Sequence, residues 1–271
     1  MTVTDALPPI FVINLKRSAD RRKDMSGRLD PLKMHYSFFE AVDGQALDLK
    51  TLPSYAGLRR RLFFGRDLSP GEMGCLLSHR AIYQHMVDNN LDKAIVLEDD
   101  VFLSPDFPEV VGELLNLPLQ WDMIRFLDRE KVYRYSRPIR VLARKPYVLN
   151  RVLLTAGGAY GYMLTQKAAR TFLQHMYKNV LPVDILHGYV WRTGLEVFAV
   201  GPSPVAPDNI IGSTIGDGRF EKTLHIAGWE KMVYPLTRSW HKFSELVGKR
   251  RAYWLSWPRD ILLKRQQRRV P

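Results

Sequence analysis

Short β-branched apolar runs alternate with helix-type segments along this chain, and that alternation leaves few architectures open. Ile10 to Leu15 reads as a buried strand, and the polar run Lys16 to Lys23 follows with Ser18 able to cap a helix. Residues 31 to 66 carry turn chemistry around Asp43-Gly44 without sustained periodicity and read as a long, partly irregular connection. Ser69-Pro70-Gly71-Glu72 is a strong helix start, with serine at the N-cap, proline at the first helical position and glutamate placed to close a capping box. The spacing predicts a helix to about Val87, with Cys75, His79, Ile82 and Met86 on one face, so that His79 is drawn toward the apolar side. Ala94 to Leu97 is a short strand that delivers Glu98, Asp99 and Asp100 before Val101 and a turn at Ser104-Pro105. A helix over Asp106 to Leu117, strands over Asp122 to Leu127 and Ala159 to Leu164, and a helix over Thr165 to Tyr177 capped by Thr165 complete the pattern. The expected fold class is α/β, with a mainly parallel sheet flanked by helices, whose ligands bind outside the carboxyl ends of the strands. Glu98, Asp99 and Asp100 fall at such an end.

Three adjacent ionised carboxylates repel one another, so a cation, arginines or water must neutralise them. Oxygen ligands suit a hard divalent ion, Mg²⁺ or Mn²⁺, commonly shared with substrate phosphates, which points toward a nucleoside diphosphate. The same acids could instead cap the next helix or face solvent. His79 reads either as a satisfied core histidine or as a catalytic one. Asp184, after Pro182-Val183, reads either as the N-cap of a segment from Ile185 to Trp191 or as a general base distinct from metal-bound acids. Gly157-Gly158 supplies backbone flexibility or a close approach for a sugar. No Walker A loop, GxGxxG fingerprint, HExxH helix or GxSxG elbow is present.

At 271 residues, 46% hydrophobic and 25% charged, the chain carries a folded core and is not wholesale disordered. Its one cysteine, Cys75, forms no intramolecular disulfide and builds no zinc cluster, which fits a reducing cytosolic setting. No stretch approaches the ~18 uninterrupted apolar residues of a membrane span, and the N-terminus lacks the pattern of an export signal. The net charge of +12 is concentrated at the end: from Lys231 to Pro271, eleven cations face only Glu245 and Asp260.

Several blocks occur in a characteristic order: "FVINLKRSADRR", "AVDG", "SPGEMGCLLSHRAIY", "AIVLEDDV", "TAGGAYGYMLTQKAARTFL", "LPVD" and "SPVAPDNIIGSTI". Together, from about Ile10 to Ile215, they resemble glycosyltransferase family 25, in particular its bacterial lipooligosaccharide and lipopolysaccharide transferases. The resemblance implies a GT-A-like nucleotide-sugar-binding domain and inversion at the anomeric carbon. It also implies an acidic motif that works with Mn²⁺ or Mg²⁺. Asp99 and Asp100 match that motif. Because the motif reads Glu-Asp-Asp, Glu98 is a third candidate metal ligand, and strand alternation places Glu98 and Asp100 on one face with Asp99 on the other. Asn14 and Arg17 match the segment expected near the nucleotide, and Glu72, Ser78 and His79 match the family's "GE…C…SH" helix. Asp100 and Asp184 are the candidate catalytic acids.

The expected boundaries are a catalytic domain over residues 8–218 and a basic, aromatic, helical extension over 219–271. Tyr234, Trp240, Phe243, Tyr253, Trp254 and Trp257 among cations suit an anionic membrane surface, or helices packed on the core with a solvated charged face. No RNP, KH or zinc-knuckle signature accompanies them, so no nucleic-acid partner is expected. The resulting expectation is a cytoplasmic enzyme, peripheral on the inner face of the membrane. It would use a UDP-sugar, UDP-galactose above others, to extend a glycolipid or oligosaccharide acceptor such as a lipooligosaccharide core. The rival is a non-catalytic carbohydrate- or lipid-binding module on the same fold.

Overall fold

The computed structural model describes residues 7–127, 136–144, 146–153, 157–208 and 224–267. The boundary expected at 218/219, part of the last family block and Arg268 and Arg269 lie outside these residues. Strand β1 (Ile10–Asn14) is buried along its whole length and feeds helix α1 (Ala19–Leu29). It pairs in parallel with β2 (Tyr36–Glu40) on one side and β3 (Lys93–Glu98) on the other. Between them lie α2 (Gly57–Phe64) and α3 (Pro70–Asp88). Then follow β4 (Val101–Leu103), α4 (Phe107–Leu115), β5 (Met123–Phe126), β6 (Arg137–Val141), β7 (Val148–Arg151) and β8 (Gly161–Thr165). The chain continues through α5 (Gln166–His175), α6 (Val183–His187), α7 (Val190–Thr193), β9 (Val197–Gly201) and β10 (Val205–Pro207), and ends in α8 (Trp229–Leu255) and α9 (Trp257–Gln267).

The main sheet runs β2-β1-β3-β8-β5-β9-β7-β6. Following the pairings across it, six of the eight strands point one way and only β8 and β7 run against them. The expected α/β class with a mainly parallel sheet is therefore observed, as a GT-A-like arrangement with one reversed strand near the middle. A two-stranded antiparallel ribbon of β4 and β10 lies beside it.

Alternation along β3 divides the core. Ile95 and Leu97 join α1 and α4 through Met25, Leu29, Phe107, Val110 and Leu114, while Ala94 and Val96 join α3 and α5 through Met73, Ile82, Met86, Ala168 and Phe172. Burying each such aliphatic side chain contributes about 1.5–3 kcal/mol, so the central strands are the most firmly held part of the molecule.

Several expected elements form as read. The capping box closes, with Ser69 Oγ accepting from Glu72 N–H and the Glu72 carboxylate accepting from Ser69 N–H, and Thr165 caps α5 by accepting from Ala168 N–H. Others are corrected. Ser18 stands at the N-cap of α1 but makes no side-chain cap; its carbonyl instead accepts from Asn14 Nδ2 at 3.1 Å. The segment from 31 to 66, expected as a long, partly irregular connection, also supplies edge strand β2 and helix α2. Its arginines masked the helix: Arg60 is 3% exposed, donating to the carbonyls of Arg66 and Val180 at 3.3 and 3.1 Å. Asp184 is not an N-cap; α6 begins at Val183, with Pro182 before it.

The basic C-terminal segment is helical, as expected, and α8 lies against α2. Arg61 pairs with Glu230 at 2.8 Å, Arg238 donates to Phe63 O, and His241 is buried beside Phe63, Phe64 and Tyr189. Gly248 permits a tight crossing, since a Cβ there would lie 2.3 Å from the Trp191 ring. Helix α9 is held by Asp260, fully buried between Arg137 at 2.8 Å and Arg151 at 2.9 Å. Among the described residues no helix is long and apolar enough to cross a membrane.

Candidate active site

The parallel pairing of β1 and β3 aligns Ile13 with Glu98, which brings Asn14 beside the acidic turn at the carboxyl end of the sheet. Asn14 Nδ2 donates to Asp99 Oδ2 at 2.7 Å, a buried bond that fixes the carboxylate. From the first turns of α1, Arg21 Nη1 reaches Asp99 Oδ1 at 3.0 Å and Asp100 Oδ2 at 3.4 Å. An arginine therefore supplies part of the positive charge that three adjacent acids demand. Reading the sequence did not single out Arg21. The signal was its place in the first turn of the helix that follows β1, where a counter-charge to the acids was required.

Alternation carries through Glu98 and Asp99 and then ends at the turn. Glu98 shares the α3 face with Val96 and comes within 3.6 Å of His79 Nε2, whereas Asp99 and Asp100 share Arg21. Asp100 nevertheless stays close enough to Glu98 for that acid to be the charge that acts most strongly on it. The Asp100 carboxyl is pushed up to about 7, by burial first and then by Glu98 and Asp99, against the opposing pull of Arg21. Asp100 is further tied by its backbone, its carbonyl accepting from Asp208 N–H at 2.7 Å.

Glycine geometry brings Asp184 to the same neighbourhood. Gly158, at φ +103, donates its N–H to Asp184 Oδ2 at 3.3 Å, and its carbonyl accepts from the buried Arg125 Nη2 at 2.7 Å. Asp184 Oδ1 accepts from Ile185 N–H at 2.8 Å. Glu98, Asp184, Asp100 and Glu72 all act on Cys75, whose thiol is raised well above its ordinary value by burial and by these acids. The three acids of the turn, Asp184, Asn14 and His79 are therefore gathered at one end of the molecule.

The remaining candidates have other partners. Arg17 pairs with Asp43 on the surface. Against the cost of burial, Arg66 and the Ser69 N–H hold the Glu72 carboxyl below its ordinary value, and Arg66 grips it at 2.7 and 2.8 Å. Ser78 is buried, accepting from Val42 N–H at 2.8 Å and donating to Gly74 O at 2.7 Å, which fastens the 41–44 turn to α3. His79 belongs to a chain missed in the sequence: His79 Nδ1 to Tyr162 Oη at 2.6 Å, Tyr162 to Tyr83 at 2.9 Å, and Tyr83 to His187 Nε2 at 2.6 Å. Its members come from α3, β8 and α6, so only the fold could reveal it.

Acids at the carboxyl rim of a mainly parallel sheet, with one reversed strand returning a glycine to the same rim, define a GT-A-like α/β domain with an acidic rim. The chain belongs to glycosyltransferase family 25: the family profile described as "Glycosyltransferase family 25 (LPS biosynthesis protein)" matches residues 7–187. It is 32% identical over 191 residues to procollagen galactosyltransferase 1 of Danio rerio, covering 65% of this chain and 30% of that protein. It is 31% identical to procollagen galactosyltransferase 2 of Homo sapiens over 191 residues, 65% of this chain and 29% of the relative. A third relative, named "Probable inactive glycosyltransferase 25 family member 3" from Rattus norvegicus, is 29% identical over 228 residues, 76% of this chain and 39% of its own. The chain thus spans roughly a third of the length of the curated relatives it matches.

Proposed function

We propose that this chain transfers a hexose, with inversion, from a UDP-sugar to a lipooligosaccharide or lipopolysaccharide core, and that UDP-galactose is the donor. The observation that carries the reading is the acidic turn at the sheet rim, braced by Asn14 and Arg21 and only partly compensated by them. A carboxyl such as Asp100, held near neutrality in its titration, belongs to a cluster that still wants positive charge. The oxygen donors of Asp99 and Asp100, which share Arg21, suit Mn²⁺ or Mg²⁺. When bound, such an ion supplies positive charge against the departing diphosphate.

The protein's own groups account for the rest. Asn14 and Arg21 fix the Asp99 carboxylate, and Arg21 steadies Asp100. Asp184, held by the N–H groups of Gly158 and Ile185, accepts the proton of an acceptor hydroxyl. The freed oxygen forms its bond to the anomeric carbon as the bond to the UDP oxygen breaks, and UDP leaves with that electron pair. A single displacement inverts the centre. Names of relatives as procollagen galactosyltransferases support galactose, and the family's description supports a lipopolysaccharide acceptor.

In this reading residues 8–218 carry the transfer and 219–271 attach the enzyme to the inner face of the cytoplasmic membrane. Support comes from α8, which exposes Met232 at 79%, Leu236 at 75% and Trp240 at 67% beside exposed Lys231, Lys242, Arg250 and Arg251. An anionic lipid surface matches both the apolar and the cationic parts of that face.

A non-catalytic binding module is the second reading, favoured by the relative named as inactive. Release of UDP from UDP-galactose with Mn²⁺ separates the two. The transferase releases UDP and Asp100→Ala loses it by at least ~100-fold, whereas a binding module releases none in either form. Sedimentation with anionic liposomes tests attachment, which fails as a proposal if a chain ending before Lys231 binds equally well.

A further inference from the structure

On the α3 side of the acidic turn, three ligand-type atoms converge that the transfer mechanism does not use together. A sulfur of Cys75, a ring nitrogen of His79 and a carboxylate oxygen of Glu98 all lie within 4.8 Å of one another. Cys75 and His79 are four residues apart on α3 and stack on one face, while β3 presents Glu98 from across the gap. His79 is fully buried, and its Nε2, 3.6 Å from Glu98 Oε1, has no hydrogen-bond partner among the described residues.

Counting protons along the buried chain shows why that nitrogen is unsatisfied. In one direction, His79 Nδ1–H donates to Tyr162, Tyr162 to Tyr83, and Tyr83 to His187 Nε2. His79 Nε2 is then a bare lone pair facing a carboxylate. In the opposite direction Nε2 carries the proton, but 3.6 Å to Glu98 is too long for a hydrogen bond. Neither direction lets the protein alone satisfy the nitrogen. The first fixes the imidazole in the tautomer that a metal takes, with Tyr162 holding the far side of the ring as outer partners of metal-bound histidines do.

We propose that Cys75, His79 and Glu98 bind a borderline-soft divalent ion of the Zn²⁺ class, with a fourth position left open. The lone thiol that excludes a cysteine cluster suffices as one ligand of three. Thiolate, imidazole and carboxylate together suit Zn²⁺ and disfavour Mg²⁺. Ligand atoms about 2.0–2.1 Å from a tetrahedral ion stand about 3.3–3.4 Å apart, close to the 3.6 Å between His79 and Glu98. The thiol, within 4.8 Å of both other ligand atoms, is in reach of the ion through a side-chain rotation. Asp184, Asp100 and Glu72 add negative potential around Cys75. Binding exchanges the thiol proton for the ion, so one proton passes to solvent as the metal–sulfur bond forms. The site takes Glu98 from the acidic turn and leaves Asp99, held by Asn14 and Arg21, outside it; it stands whether or not the chain transfers sugar.

Co²⁺, a spectroscopic substitute for Zn²⁺, tests it on the full chain freed of metal by a chelator. One equivalent should give a near-ultraviolet thiolate-to-cobalt charge-transfer band that Zn²⁺ abolishes by displacement. The band should vanish in Cys75→Ser, weaken at least ~10-fold in affinity in His79→Gln, and persist in Asp99→Asn. Because Cys75 is the only cysteine, a second readout needs no variant: Zn²⁺ should slow alkylation of the wild-type thiol by at least ~10-fold while Mg²⁺ does not. A wild-type chain that takes up Co²⁺ without the band, takes up none, retains the band in Cys75→Ser, or is alkylated equally fast with Zn²⁺ overturns the site.

Discussion

Arg21 illustrates how much of the chemistry depends on a single guanidinium. It lies 3.0 Å from Asp99 and 3.4 Å from Asp100, with only 12% of its side chain exposed. Arg21→Ala leaves these carboxylates to repel each other in partial burial, and the expected loss at neutral pH is about 2–4 kcal/mol, partly recovered on adding Mn²⁺. Urea melts with and without the ion measure both effects. A pH effect follows from His241 and His187, whose imidazoles burial holds below the ordinary 6.5. Such a base binds its proton more readily unfolded than folded, so the stability it contributes is present above 6.5 and is lost as pH falls below that value. Because the Asp100 carboxyl, raised to about 7, contributes with the opposite sign over the same interval, the imidazole effect is read as a difference: between pH 7 and 5 the melting temperature of His241→Gln, whose amide keeps a partner for Tyr189, should fall less than that of the wild type. His79 on the apolar side and the acids at a strand end were legible from spacing alone. Arg21, Tyr162 and His187 were not, because their partners are distant in sequence and only the folded topology makes them neighbours.

At the level of elements, legibility followed burial pattern. Helix α3 announced itself through its capping box, and β3 through four apolar residues ahead of the acids. Edge strand β2 is only half-buried and gave no alternating signal, and α2 hid behind three consecutive arginines, one of them buried against carbonyls. The C-terminal helices show the same limit, since an acid in a basic segment reads as a solvated charge. Asp260 is instead the clamp of α9, with no exposure and two arginines upon it. Asp260→Ala would leave both guanidiniums buried and underpaired, a loss of about 3–5 kcal/mol. Limited proteolysis should then cut between α8 and α9 first, whereas Asp260→Asn, keeping the shape, should lose less.

For the whole molecule, charge and shape divide the work between two ends. The acids gather at the carboxyl rim of the sheet, while exposed cations and aromatics lie along α8 and α9. Leu236→Glu with Trp240→Glu should cut sedimentation with anionic vesicles by at least ~10-fold while leaving the melting temperature nearly unchanged, because neither side chain packs on the core. Added salt should weaken the wild type in the same assay. The reversed strand β8 has a consequence of its own. Since it starts at the rim where β1 and β3 finish, and Glu98 N–H donates to Tyr160 O just ahead of it, the segment entering β8 joins the acidic rim to the interior through the buried Ala159 and Tyr160. Partner choice and heat tolerance are then linked traits, and a change at that segment should move both.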